Sequence, residues 1–396
     1  MINMKMALDM TKEYALVLEG GGAKGAYQIG AWRALREAGV KISAVAGTSV
    51  GALNAALICM GDLKAAEDIW KNISHSKVME VDEEKTAQLF GGNAKLHDWV
   101  QTVFKYAAEG GADITPLKEL IAGAIDEQTI KKGEISFYLH TFSLSDMKEL
   151  DVDVKEIEDG LLPDFLLASA YLPVFKHEKL HGKSYMDPGM FNNVPLDSLV
   201  KRDYKNIILL RIFGPGRYKP VEIPEDVNIY SVEPRVNLGN ILNFEAKKSI
   251  NNLKIGYYDT KRMLYDLSGR IYYIDENEKE CYYLKQLVEI QEPVMEFVNS
   301  SYTLKSTKSI HRTYVEDTLG IIAEKLRLRK YDYKTLYLSI LEATAKLFKV
   351  PKYSIYTVEE LKASIREKEE WEELPAFAYV ILDKLPEYTV QEELKD

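Results

Sequence analysis

Apolar positions along this chain switch between two periods, and glycine marks the switches. Residues 15–19 form a short β-favouring run, and residues 42–46 form another. The first empties into Gly20, Gly21, Gly22, Ala23, Lys24 and Gly25, the second into Gly47, Thr48, Ser49, Val50 and Gly51. Helical spacing follows both turns, over 26–38, where Gly39 stops it, and from Ala52 onward. Residues 62–132 read as mainly helical, with runs at 65–71 and 96–104 and a start at 113–120, where Thr115 caps and Pro116 takes the first helical position. A buried strand over 135–142 and a hairpin partner over 149–154 come next, then a short helix over 161–170. Residues 182–186 predict a strand that ends in a turn presenting Asp187; 206–213 and 228–232 complete the strands, and 252–267 is a closing helix. Strands alternating with helices predict an α/β fold of three layers, with a mostly parallel sheet covered on both faces. Beyond residue 268 the spacing is helical, at 282–298, 314–328, 333–350 and 358–373, the last opened by a capping box from Thr357 to Glu360. The expected division is therefore an α/β domain over 1–267 and a helical region over 268–396.

Composition narrows the classes of function. The 396 residues are 46% apolar, enough for a proper core, and the net charge of −10 argues against a nucleic-acid partner. Cys59 and Cys281 are the only cysteines, too few for a disulfide framework or a thiolate metal site, so a reducing compartment is expected. Without an apolar leader or about eighteen uninterrupted apolar residues, the chain is expected to be cytoplasmic and to cross no membrane. One local exception to the acidic average gathers Lys305, Lys308, Arg312, Lys325, Arg327, Arg329 and Lys330. It reads either as a solvated face paired with nearby acids or as a patch facing lipid.

Candidate chemistry centres on the two glycine turns. Ser49 stands at a strand-to-helix corner in a G-x-S-x-G pattern, where Gly47 and Gly51 relieve crowding and the following helix supplies unpaired N–H groups. The first turn also fits the dinucleotide fingerprint through Gly20, Gly22 and Gly25, but nothing acidic occurs between Glu37 and Asp62 to hold a ribose. A Walker loop would need Lys followed by Ser or Thr after the last glycine, and Lys24 precedes Gly25. Asp187, read alone, is an Asx-turn residue that bonds its own backbone before it is anything else. A Ser, Asp, His hydrolase would need a histidine after the aspartate; His311 is the only one, while His177 and His181 precede it.

Taken together, three separated pieces resemble the patatin-like phospholipase family: residues 20–25 its glycine-rich oxyanion loop, 47–51 its nucleophile elbow, and Asp187-Pro188-Gly189 its Asp-Gly-Gly or Asp-Gly-Ala. Residues 168–175 and 193–195 are similar to that family's neighbours of the active site, and the resemblance runs from about residue 13 to 267. It departs at Pro188, where the family usually has glycine; proline removes a donor and biases Asp187 toward extended backbone. The resemblance implies a Ser49–Asp187 dyad without histidine: Ser49 attacks an ester carbonyl, Asp187 takes the proton, and water activated by Asp187 releases the acyl group. It implies that Gly20, Gly21 and Gly22 bind the oxyanion, that Lys24 either orients their loop or adds positive potential, and that no cofactor or metal is used. The implied substrate is a phospholipid or another lipid ester, reached by peripheral contact with a membrane, for which the C-terminal helices offer a docking face. A nucleotide-binding or scaffolding protein, in which Ser49 is incidental, is the alternative of a different class.

Overall fold

The structure, a computed structural model, describes residues 6–80, 111–176, 178–292, 294–295 and 308–368. The run expected at 96–104, His177, Lys305 and the outer parts of 282–298 and 358–373 lie outside the described residues. Two compact units are present, one of Leu8–Pro234 with Leu238–Met263, the other of Met1–Ala7, Arg235–Asn237 and Leu264–Asp396. Among the described residues no helix is long and apolar enough to cross a membrane.

The larger unit is built on a seven-stranded sheet. Its strands are β1 (Glu13–Leu18), β2 (Lys41–Thr48), β3 (Ser136–Ser143), β4 (Lys148–Asp153), β5 (Tyr185–Met186), β6 (Asn206–Leu210) and β7 (Asn228–Val232). They lie in the order β4-β3-β2-β1-β6-β7, with β5 pairing β3 beyond that path. β2, β1, β6 and β7 run parallel, as do β2 and β3, while β4 and β5 are antiparallel to β3. Tyr14 to Leu18 are all essentially without exposed surface. A strand buried on both faces reads as an unbroken apolar run, and its burial requires helices on both sides of the sheet. Ala15, Val17, Ala44 and Ala46 pack on one face against Val194 and against Leu196 and Leu199 of a later helix. The intervening Leu16, Leu18 and Val45 are buried on the other.

The helices of this unit are α1 (Ala26–Glu37), α2 (Val50–Met60), α3 (Leu63–Lys71), α4 (Thr115–Ala124), α5 (Glu127–Lys132), α6 (Leu162–Ser169) and α7 (Leu196–Lys201), and α8 (Ala246–Tyr265) follows β7. The start of α4 differs from expectation. Asp113, not Thr115, supplies the capping acceptor: its carboxylate takes both the N–H and the hydroxyl of Thr115, at 2.8 and 2.6 Å. A carboxylate two residues back reaches both donors at once, which the threonine hydroxyl cannot.

Because β1 and β2 are parallel and Leu18 stands opposite Gly47, both glycine turns emerge at the same edge of the sheet. Leu210 of β6 stands opposite Leu18 on the other side, so residues 211–214 emerge there as well. β5 runs back beside the end of β3, Met186 opposite Phe142, and delivers Asp187 to that edge. The carboxyl ends of parallel strands are where an open α/β sheet forms its binding crevice.

The smaller unit holds α9 (Glu280–Glu289), α10 (Ile310–Thr313), a π-helical turn over Tyr314–Thr318, α11 (Leu319–Lys325), α12 (Tyr333–Leu347) and α13 (Val358–Arg366). The capping box is present, with Thr357 and Glu360 satisfying each other's backbone N–H. A parallel pair of short strands, β8 (Tyr273–Asp275) and β9 (Ile355–Thr357), joins them, contrary to the helical reading; three residues are too few for a period to register. Glu342 on α12 is buried and accepts the N–H groups of Arg270, Ile271 and Tyr272 at 2.8, 2.9 and 2.8 Å. Within the expected basic patch, Lys308 pairs with Glu316 and Asp317 and Arg312 with Glu316, so those two charges serve their own helix turn.

Candidate active site

Ser49 occupies the single residue between β2 and α2, with φ 55° and ψ −127°, a conformation that side chains seldom adopt. Surrounding contacts hold it there. Its N–H donates to the buried hydroxyl of Ser169 at 2.9 Å, and its carbonyl accepts from Ala52 at 2.8 Å. The turn is so tight that a Cβ added to Gly51 would lie 2.2 Å from the Leu18 carbonyl oxygen, and one on Gly47 would lie 2.4 Å from that of Gly51. Glycine at both positions is therefore a condition of the corner.

Asp187 is buried, with 6% of its surface exposed. Its N–H donates to the Tyr171 carbonyl at 2.8 Å, so residues 169–171 hold both halves of the pair, one through Ser169 and the other through Tyr171. Oδ1 accepts the Gly189 N–H at 2.8 Å, the Asx turn expected of an isolated Asp-Pro-Gly. Burial lifts the Asp187 carboxyl to about 6, against the opposing influence of hydrogen bonding from the Ser49 side chain and Gly189 N–H. Oδ2 is buried without a partner of regular hydrogen-bond geometry, so the approach of Ser49 is a loose one. Pro188 opens a short 3₁₀ turn, Pro188–Met190, where no N–H is called for, and Asp187 is extended at φ −53° and ψ 124°.

The first glycine turn is only partly free to bind an anion. Gly20 N–H, expected among the oxyanion donors, donates instead to the Asn193 carbonyl at 3.1 Å, because the end of β1 is stitched to the segment after Asp187. Ala23 N–H is taken by Ile241 at 2.7 Å and Lys24 N–H by Gly21 at 3.3 Å. Gly21 and Gly22 remain, their N–H groups without a hydrogen-bond acceptor among the described residues. Gly22, at φ 55°, sits where a Cβ would strike the Ile241 carbonyl oxygen at 2.1 Å. Lys24 donates its ammonium to the Phe213 carbonyl at 2.7 Å, and burial lowers its pKa, so it anchors a neighbouring loop.

Sequence reasoning passed over the residues that hold this turn. Glu19 is buried; its Oε2 accepts from Arg211 Nε at 2.9 Å, Ile212 N–H at 2.7 Å and Phe213 N–H at 3.0 Å. Asn193 Nδ2 donates to the Gly20 carbonyl at 3.0 Å. Behind the turn runs a buried chain of amides. Trp70 Nε1 donates to Asn54, Asn54 donates to Gln28 and to the Gly25 carbonyl, and Gln28 donates to the Glu19 carbonyl, all between 2.7 and 3.0 Å. A charged residue ending an apolar strand was the one available signal for Glu19, since buried carboxylates persist only when paired.

Ser49 and Gly22 line an open apolar pocket. Val50, Leu53 and Leu57 of α2 form one wall, and Leu117, Leu120, Ile121 and Ala124 of α4 form another. The spacing of both sets is that of one helix face. His181 pairs with Asp164 at 2.6 Å, and His311, in the smaller unit, meets Gln291 at 2.7 Å.

Residues 16–200 match the family model described as patatin-like phospholipase. A patatin-like phospholipase domain-containing protein of Caenorhabditis elegans is 24% identical over 335 residues, which make up 80% of this chain and 22% of that protein. Patatin-like phospholipase domain-containing protein 6 of Homo sapiens is 27% identical over 209 residues, 50% of this chain and 13% of that one. The chain thus spans less than a quarter of the length of these relatives. The crystal structure of VipD from Legionella pneumophila aligns with a TM-score of 0.40 and 13% identity, over 99% of this chain and 95% of that chain. Residues 16–200 thus form a domain of the patatin-like phospholipase family.

Proposed function

We propose that this protein is a lipid acyl hydrolase, cleaving carboxylic esters of phospholipids or related lipids through a Ser49–Asp187 dyad. The observation that carries the reading is a strained serine set between a buried carboxylate of raised pKa and an apolar cavity. Ser49 attacks the ester carbonyl as Asp187 takes its proton. The alcohol leaves with a proton returned by the same carboxyl, and water, deprotonated in turn by Asp187, releases the acid. A carboxyl near 6 is ionised at neutral pH yet a far better base than one at its ordinary value. Gly21 and Gly22 N–H receive the oxyanion, joined by the positive end of α2, whose first-turn amides face the serine corner. Two free amides are too few to cradle a diphosphate, and an apolar wall suits an acyl chain, which weighs against the nucleotide-binding alternative.

A fluorophosphonate probe tests the nucleophile: the protein is expected to be labelled and its Ser49→Ala variant to remain unlabelled. Labelling at another serine, or none with the protein folded, would remove the hydrolase reading. The cavity makes a separate prediction. Leu57 stands two turns beyond Ser49 along α2, about 12 Å on. Leu57→Trp fills that end, and is expected to lower turnover of a p-nitrophenyl palmitate by about tenfold or more while p-nitrophenyl butyrate changes little. Equal losses on both esters would show that the acyl chain lies elsewhere.

A further inference from the structure

We infer that the loops beside the dyad form a docking surface for a phospholipid membrane, made by the side chains of Met190, Phe213 and Tyr218 with Arg217 at its edge. The inference rests on the hydrolase reading for its purpose, but on separate observations for its place. Met190 is 57% exposed, Phe213 47% and Tyr218 48%. Single exposed apolar side chains are ordinary; a group of them on connected segments beside a reactive site is not.

The segments are connected by backbone. Arg217 N–H donates to the Gly189 carbonyl at 2.9 Å, and Asn193 N–H donates to the Arg217 carbonyl at 2.8 Å, so residues 214–218 are tied to the turn that carries Asp187 and Met190. The Arg211 guanidinium lies 5.1 Å from the Phe213 ring and 5.6 Å from that of Tyr218, which brings the two aromatics to one cation. Phe213 is held at both backbone ends, its N–H by Glu19 and its carbonyl by Lys24. Fixed backbone with outward apolar side chains suits insertion, because little ordering entropy remains to be lost on contact.

Charge selects the occupant. No acidic residue occurs between residues 211 and 219, the nearby Glu149 and Asp197 are paired with Lys219, and Arg217 is exposed without an ion-pair partner among the described residues. Apolar side chains bordered by a free cation match the boundary between acyl chains and anionic headgroups. The same surface would place Ser49 close to the plane from which a lipid ester must leave.

The test uses full-length protein carrying Ser49→Ala, so that vesicles stay intact, sedimented with vesicles of phosphatidylcholine containing about one-fifth phosphatidylserine. The parent is expected to bind. Adding Met190→Ser and Tyr218→Ser is expected to weaken binding by about tenfold or more, since each buried apolar side chain contributes roughly that factor. Arg217→Gln is expected to cost about fivefold on these vesicles and nothing on pure phosphatidylcholine. In protein that keeps Ser49, the Met190→Ser, Tyr218→Ser pair should hydrolyse soluble p-nitrophenyl butyrate within about twofold of the parent, as surface changes do. Absence of vesicle binding by the parent, or binding indifferent to the double substitution, would overturn the docking surface. Loss of probe labelling and butyrate turnover by the unaltered protein would instead overturn the hydrolase reading, so the two failures are distinguishable.

Discussion

Asp187→Asn is expected to fold and to lose about two to four orders of magnitude in kcat on any ester, the range that a general base contributes. The amide preserves shape and still accepts the Gly189 N–H, but it cannot take a proton from Ser49. Single-turnover measurements on p-nitrophenyl butyrate check it, and activity retained within tenfold would remove Asp187 from the role of base. In the parent, kcat/KM should fall on the acid side with a midpoint near pH 6, where the carboxyl becomes protonated.

The same substitution has a consequence for stability, of opposite sign. Folding raises this carboxyl from its ordinary 3.8 to about 6 through burial, so its ionised form is disfavoured in the folded protein. That cost is absent below about pH 4 and fully developed above about pH 7. Asp187→Asn should therefore be more stable than the parent at pH 8, by up to about 3 kcal/mol, with the difference vanishing as the pH falls below the unfolded value. Urea unfolding at the two ends of that range measures it. A gain in stability with a loss of activity is the signature of a strained, desolvated reactive group.

The second large effect lies in the smaller unit. Glu342→Leu is expected to destabilise that unit by about 3 to 5 kcal/mol, because three N–H groups, the buried ones of Ile271 and Tyr272 and the half-buried one of Arg270, lose their common acceptor. Glu342→Gln keeps a carbonyl oxygen in the same place and should cost only about 1 kcal/mol. Urea unfolding of the full chain, followed by tyrosine fluorescence, distinguishes them. Equal stability of the leucine and glutamine variants would mean that water or an alternative loop conformation satisfies these amides.

Much of the site was legible because its parts are local. A strand, a glycine turn and a helix in succession put Ser49 on a corner wherever that segment folds, since the crowding that demands Gly47 and Gly51 arises within a few residues and one neighbouring strand. The sheet's parallel character followed from alternation of strands and helices, and the antiparallel pair β3 and β4 from a hairpin's short connection. Asp187 could be singled out only as a turn residue, or by resemblance, because the role proposed for it depends on a residue more than a hundred positions earlier.

What the amino-acid sequence determined by itself is therefore the set of local conditions: apolar runs of two periods, glycines where side chains cannot fit, and a serine at a bend. The tertiary structure alone decided which amides stay free. Gly20, Gly21 and Gly22 are alike as residues, yet the Asn193 carbonyl consumes the first N–H and leaves the other two. It alone decided that Glu19 is the tie between β1 and the loop after β6, and that a carboxyl at residue 187 sits dry enough for its pKa to rise. The reason is physical: a hydrogen bond or a desolvation is a property of what surrounds a group, and here those surroundings come from segments far apart in the chain.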